Sequence, residues 1–188
     1  MNNKEKIINS ANKLFEEKGY FNTNSNEIAK SAGLAAGTFY NYFKTKEELF
    51  IEIYTRWHVN QRMEIQQVTF QGYEDKVFTK KCVDIIIKYY SQSKNFRSAI
   101  HVLKNSSENV YEFRLTQRKI LIETIENVLK IRSTIRSKEE VILFQLGLER
   151  FFDAYVHGEL GEVGISKKRQ KLVLYNYFHE FAAGEKYV

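Results

Sequence analysis

The sequence predicts an all-α protein of about nine helices, arranged as a small N-terminal head and a larger helical body. Three observations lead there. The 188 residues contain no proline, so no position lacks the backbone donor that a helix interior needs. Apolar residues recur at helical spacing along most of the chain, while alternating, strand-like runs are few. Only nine glycines interrupt that pattern.

In the first helix Ile7, Ile8, Ala11, Leu14 and Phe15 form the inward face, with Glu5, Lys6, Lys13, Glu16 and Glu17 outside. Gly19 ends it, and Tyr20 and Phe21 fold back as apolar contacts. Asn22-Thr23-Asn24-Ser25 is a cap-rich loop, with Asn24 as N-cap and Glu27 suiting the dipole of the helix that follows. Ile28, Ala29 and Ala32 give that helix its apolar stripe. Gly33 stands where a helix end needs positive φ, and Leu34 seals the corner. A second short helix runs from Ala36 to about Tyr42. Two helices joined by a short glycine-containing turn form a helix-turn-helix, here spanning about 24–43, whose second helix lies in the DNA major groove.

Thr45 and Glu48 make a capping box for the next helix. Its face, Leu49, Phe50, Ile53, Tyr54 and Trp57, continues towards Val68 or Phe70 and leads into the body. The spacing predicts further helices over 75–91, 95–104, 107–131, 138–157 and 166–183. The chain therefore divides into a head, 1–47, and a body, 48–188. The last two helices carry wide apolar arcs, including Phe144, Leu148, Phe151, Leu172, Tyr177, Phe178 and Phe181. Such arcs fit either a central core helix or an interface with a second copy.

Composition narrows the functional classes. Hydrophobic residues make up 43% and charged residues 28%, enough for a packed core under a charged surface. No apolar run approaches the roughly 18 residues of a membrane span. The N-terminus enters an amphipathic pattern without a signal-peptide core, and Cys82 is the single cysteine. A cytoplasmic protein is expected. The net charge of +6 is compatible with nucleic acid. No phosphate-binding glycine loop, nucleophile motif or paired-carboxylate motif is present, so an enzyme is not expected. His58, His101, His157 and His179 lack zinc spacing; no metal, cofactor or membrane partner is expected.

The N-terminal residues resemble one family. Ile8, Ala11, Leu14-Phe15 and Gly19-Tyr20 precede Thr23, Ile28-Ala29 and Ala32-Gly33-Leu34. Gly37-Thr38-Phe39-Tyr40, Tyr42-Phe43 and Lys46-Glu47-Glu48-Leu49 follow without a gap. This pattern resembles the tetracycline-repressor (TetR) family of bacterial transcriptional regulators over the first fifty or so residues. The resemblance implies a three-helix DNA-binding head and a helical body for ligand binding. It further implies a homodimer joined through the last two long helices, at the aromatic positions named above. Repression of a palindromic double-stranded operator would be relieved by a small hydrophobic or aromatic inducer. The alternative is a body that binds a protein partner and no small ligand.

By position in the family pattern, Asn24, Ser25, Ala36, Gly37, Thr38, Tyr40, Asn41, Tyr42 and Lys46 would touch DNA. Tyr40, Tyr42 and Lys46 would meet phosphates, while Ala36 and Asn41 would meet base edges. Phe39 and Phe43 are expected in the head's core. Ala35 stands where the family often has a capping hydroxyl, and Ala36 offers no hydrogen bond, so base readout should be sparse. In the body Trp57, Tyr89, Tyr90, Phe96, His101, Tyr111, Phe152 and Tyr155 are the candidates for a cavity lining. Aromatics at such spacing also serve as plain core.

Overall fold

The computed structural model describes residues 2–92 and 94–184, and every regular element among them is helical. The α-helices are α1 (Asn3–Lys18), α2 (Ser25–Ser31), α3 (Lys46–Phe70), α4 (Asp75–Gln92) and α5 (Lys94–Leu103), followed by α6 (Glu108–Ile131), α7 (Lys138–His157), α8 (Glu159–Glu162) and α9 (Lys167–Ala183). A short 3-10 helix, Ala36–Asn41, lies between α2 and α3. The single turn α8 falls inside the stretch expected to be linker. No helix among the described residues is long and apolar enough to cross a membrane.

The chain forms two compact units. The first comprises Met1–His58 and Ser93–Arg114, the second Val59–Gln92 and Leu115–Val188. The head thus reaches past the expected boundary at residue 47 and takes in α5.

The reason is an aromatic cluster. Phe15 of α1 meets Phe96 of α5 edge-on, with ring centroids 5.6 Å apart. Phe50 of α3 stacks on Phe96 at 5.2 Å and contacts Tyr20 at 4.9 Å. Ile7, Ile28, Phe39 and Leu49 are fully buried in the same core. Each such side chain contributes about 1.5–3 kcal/mol through burial. Arg56 braces α1 to α3 through both Glu5 carboxylate oxygens, at 2.8 and 3.0 Å, and also binds Glu52.

In the body unit Phe144 of α7 lies flat on Phe181 of α9, with centroids 3.7 Å apart. Ser137 and Glu140 form a reciprocal capping box at the start of α7. The preceding linker holds the end of α9. Arg136 donates to the Phe181 and Glu180 carbonyls at 3.1 and 2.9 Å, and Thr134 donates to the Ala182 carbonyl at 2.7 Å. These donors satisfy carbonyls that a helix C-terminus leaves open. Arg132 lies over the Phe78 ring at 4.0 Å and bonds the Tyr73 carbonyl.

Candidate functional site

The helix-turn-helix is built by local rules. Asn24 has extended backbone angles, and its side chain accepts from the Glu27 N–H at 2.9 Å, capping α2. Lys18 pairs with Glu27 and, by hydrogen bonding, holds its carboxyl below the ordinary value. Gly33, at φ 70°, turns the chain out of α2. The Leu34 N–H bonds the Ala29 carbonyl at 2.9 Å, and the Gly33 N–H bonds the Lys30 carbonyl at 3.0 Å. This Schellman arrangement closes α2 and returns Leu34 to the head's core.

The next helix is 3-10 rather than α. Ala35 has the extended angles of an N-cap, φ −63° and ψ 147°, but no side-chain cap bond. Gly37 further weakens a six-residue piece, too short for a cooperative α-helix. Phe39 and Phe43 anchor it in the core. Ala36, Gly37 and Asn41 are exposed and Thr38 is half-buried. Tyr40 is 56% exposed and Tyr42 39% exposed. The Tyr40 hydroxyl lies 2.8 Å from the Ser25 hydroxyl, joining the start of α2 to the short helix.

Lys46 is used differently from the expected phosphate contact. Its Nζ donates to the Tyr20 and Thr23 carbonyls, both at 2.7 Å, and sits 4.0 Å from the Tyr20 ring centroid. Burial lowers its pKa and pushes the Tyr20 phenol up to about 12. Lys46 therefore braces the loop between α1 and α2. Lys44, exposed and next but one to Tyr42, is the cation on the outside. Nothing in the spacing of the sequence separates these two lysines.

The body unit contains an apolar cavity of about 70 Å³, lined from α3, α4, α6, α7 and α9. Of the expected lining residues it holds Tyr90 and Phe152, whose rings are 4.6 Å apart. The other six lie elsewhere. Trp57 and Phe96 pack in the head's core. Tyr89 donates to Glu64 at 2.6 Å, lowering the Glu64 carboxyl. His101 and Tyr111 are exposed, and Tyr155 lies beneath Lys167, 3.8 Å from its ring centroid.

The expected interface residues also divide. Phe144, Leu148, Phe178 and Phe181 line the cavity and face inward. Phe151 and Tyr177 are half-buried, and the Tyr177 hydroxyl occupies the space beside Gly147 that a Cβ would need, at 2.8 Å. Leu172 is exposed at 58%, together with Val173, Leu143 and Leu146. Those aliphatics, one step round each helix from the aromatic stripe, form the apolar outside of α7 and α9. A helix with two apolar faces gives this signal without saying which face turns in.

Residues 7–53 match the model of the family described as bacterial regulatory proteins, tetR family. Over 99 residues, 50% of the chain, the sequence is 32% identical to the helix-turn-helix-type transcriptional regulator QacR of Staphylococcus aureus, 52% of which is covered. The chain thus spans about half the length of that curated relative. A transcriptional regulator from Rhodococcus sp. Rha1 superposes with a TM-score of 0.75 at 17% identity, covering 98% of both chains. Thermus thermophilus FadR, a TetR-family repressor solved with lauroyl-CoA, has a TM-score of 0.63 at 19% identity over 98% of this chain and 96% of its own. At such identities the structures speak for the fold. Residues 7–53 thus match the head of the tetR family of bacterial regulatory proteins, and the chain as a whole shares the fold of the solved regulators.

Proposed function

We propose that the chain is a sequence-specific DNA-binding transcriptional regulator. In this reading it is a repressor that grips a palindromic operator as a homodimer and lets go when a small molecule enters its body. The observation that carries the reading is the exposed row Ala36, Gly37, Tyr40, Asn41 and Tyr42 after a glycine turn. Tyr40 and Tyr42 present their rings outward there, 56% and 39% exposed.

Thr38, Asn41 and the methyl of Ala36 meet base edges, and Gly37 lets the backbone come close. Asn24, the Ser25–Tyr40 hydroxyl pair and Tyr42 meet phosphates. Lys44 supplies phosphate charge where Lys46 is spent on the head itself. The aliphatic face of α7 and α9, Leu143, Leu146, Leu172 and Val173, is the surface a second copy covers, setting the recognition helices about 34–36 Å apart. The apolar cavity in the body unit supports a small hydrophobic inducer. Its volume, far below the about 300–1,000 Å³ of ordinary ligand pockets, favours the second reading, a body that engages a protein partner.

Selection from a random duplex library tests the proposal. The protein should enrich a palindrome, and Tyr42→Ala and Thr38→Ala should weaken binding to it at constant salt while leaving the fold intact. Enrichment of no sequence, or unchanged affinity of both variants, overturns it. Leu172→Glu should yield monomers with only weak half-site binding in sedimentation and shift assays.

A further inference from the structure

Two buried carboxamides in the cavity wall are unmet. Gln145 of α7 is 4% exposed and Gln61 of α3 is 5% exposed, and both line the cavity. Gln145 Nε2 donates to Glu149 at 3.2 Å, which fixes the amide's orientation and leaves Oε1 without a donor. Gln61 Nε2 has no acceptor. An unmet buried amide atom costs about 1–3 kcal/mol, so packing alone would favour leucine at both positions.

The rest of the wall is largely apolar, and its Thr124 hydroxyl is spent on the Ile120 carbonyl at 2.7 Å. Phe78, Ile86, Leu148 and Phe152 are among its side chains. Glu149, the one ionised lining residue among those described, binds Arg118 at 3.0 Å as well as Gln145. Burial pushes the Cys82 thiol up to about 12, so it stays neutral. A net charge entering this wall would lose its hydration and find no counter-charge uncommitted. The volume, about 70 Å³, is roughly half the about 150 Å³ of an engineered cavity that holds benzene.

We infer that the cavity takes a small, uncharged, largely apolar molecule that offers an acceptor to Gln61 and a donor to Gln145, as an alcohol or primary amide does. This rests on the ligand-responsive reading above and names the chemistry of its ligand. Chain length is limited by the cavity, so affinity in an alcohol series should peak at short chains.

Calorimetry on the whole chain with 1-propanol, its isomer methoxyethane, propanoate and propylammonium, probes short enough for a cavity of about 70 Å³, tests the inference. Propanol should bind. The ether, of equal size but without the O–H donor, should bind about tenfold more weakly, and both ions more weakly still. Gln145→Leu should erase the difference between alcohol and ether; the isomer comparison in the unaltered protein stands even if that variant does not fold. An ether that matches the alcohol, or an ion that binds more tightly, overturns the neutral donor–acceptor class while leaving a ligand-binding body in place. If none of the four binds, and Gln61→Leu and Gln145→Leu simply stabilise the protein without altering operator affinity, the ligand-responsive reading falls and the inference with it.

Discussion

In the head unit Lys46 spends two donors on the carbonyls of Tyr20 and Thr23. In the body unit Gln61 and Gln145 are more deeply enclosed than the half-buried Lys46, yet each leaves an amide atom unmet. The head packs Phe15, Phe50 and Phe96 ring against ring, while the body keeps a cavity beside Phe144 and Phe152. The difference separates two uses of a helical core. A closed core with its loop braced from inside holds a fixed outer surface. A core with space and unmet polar atoms forgoes stability that a bound molecule can return.

The sharpest way to break this comparison is Phe96→Ala. Although α5 lies outside the segment that matches the family, the substitution should cost about 3–5 kcal/mol in urea denaturation. A cost below about 1 kcal/mol would mean that α5 only leans on the head. Next, Lys46→Ala should destabilise by about 1–3 kcal/mol, because the Thr23 carbonyl loses its Lys46 donor and the Tyr20 carbonyl keeps only the Thr23 N–H at 3.3 Å, and should leave the salt dependence of DNA binding unchanged. Lys44→Ala should do the reverse, keeping stability within about 0.5 kcal/mol and flattening the salt dependence by about one phosphate. The opposite pattern would return Lys46 to the DNA surface.

A smaller gain is expected from Ala35→Ser. The backbone there already has N-cap angles, so a hydroxyl should add about 0.5–1 kcal/mol to the head's stability; no change in melting would mean the short helix is set by Phe39 and Phe43 alone. The smallest effect concerns Glu64 in the body. Its carboxyl is lowered from 4.5, chiefly by the Tyr89 hydroxyl and then by Lys88. A lowered carboxylate stabilises the fold above its unfolded value and loses that contribution as pH falls through the folded value. Tyr89→Phe should thus be less stable than the unaltered protein near neutrality, with the gap closing as pH drops below about 4.5. A gap independent of pH would assign the loss to packing.

The head was legible because its determinants are short-range. Asn24 three residues before the N–H it caps, Gly33 after Ala32, and the stripe from Ile7 to Phe15 each declare themselves within a turn or two of helix. What escaped was long-range. Lys46 reaches a loop 23–26 residues upstream, and no pattern distinguishes that reach from a solvated charge. Phe96 carries the same helical spacing whether it faces a cavity or another phenylalanine. On α7 and α9 the wide apolar arcs announced two apolar faces without saying which turns inward; Phe144 is buried and Leu143 is exposed. Gln61 and Gln145 look like surface polar residues until the fold encloses them.

The head is assembled from Met1–His58 and Ser93–Arg114, with a stretch of the body encoded between them. A ribosome making about 5–20 residues per second therefore releases the helix-turn-helix seconds before it releases Phe96. The recognition surface is the earliest part to be synthesised and cannot be the earliest to mature. A nascent or truncated chain ending near residue 58 would carry every side chain proposed to contact DNA on an incomplete core, so the proposed competence to read an operator would be deferred until much of the body has also been made.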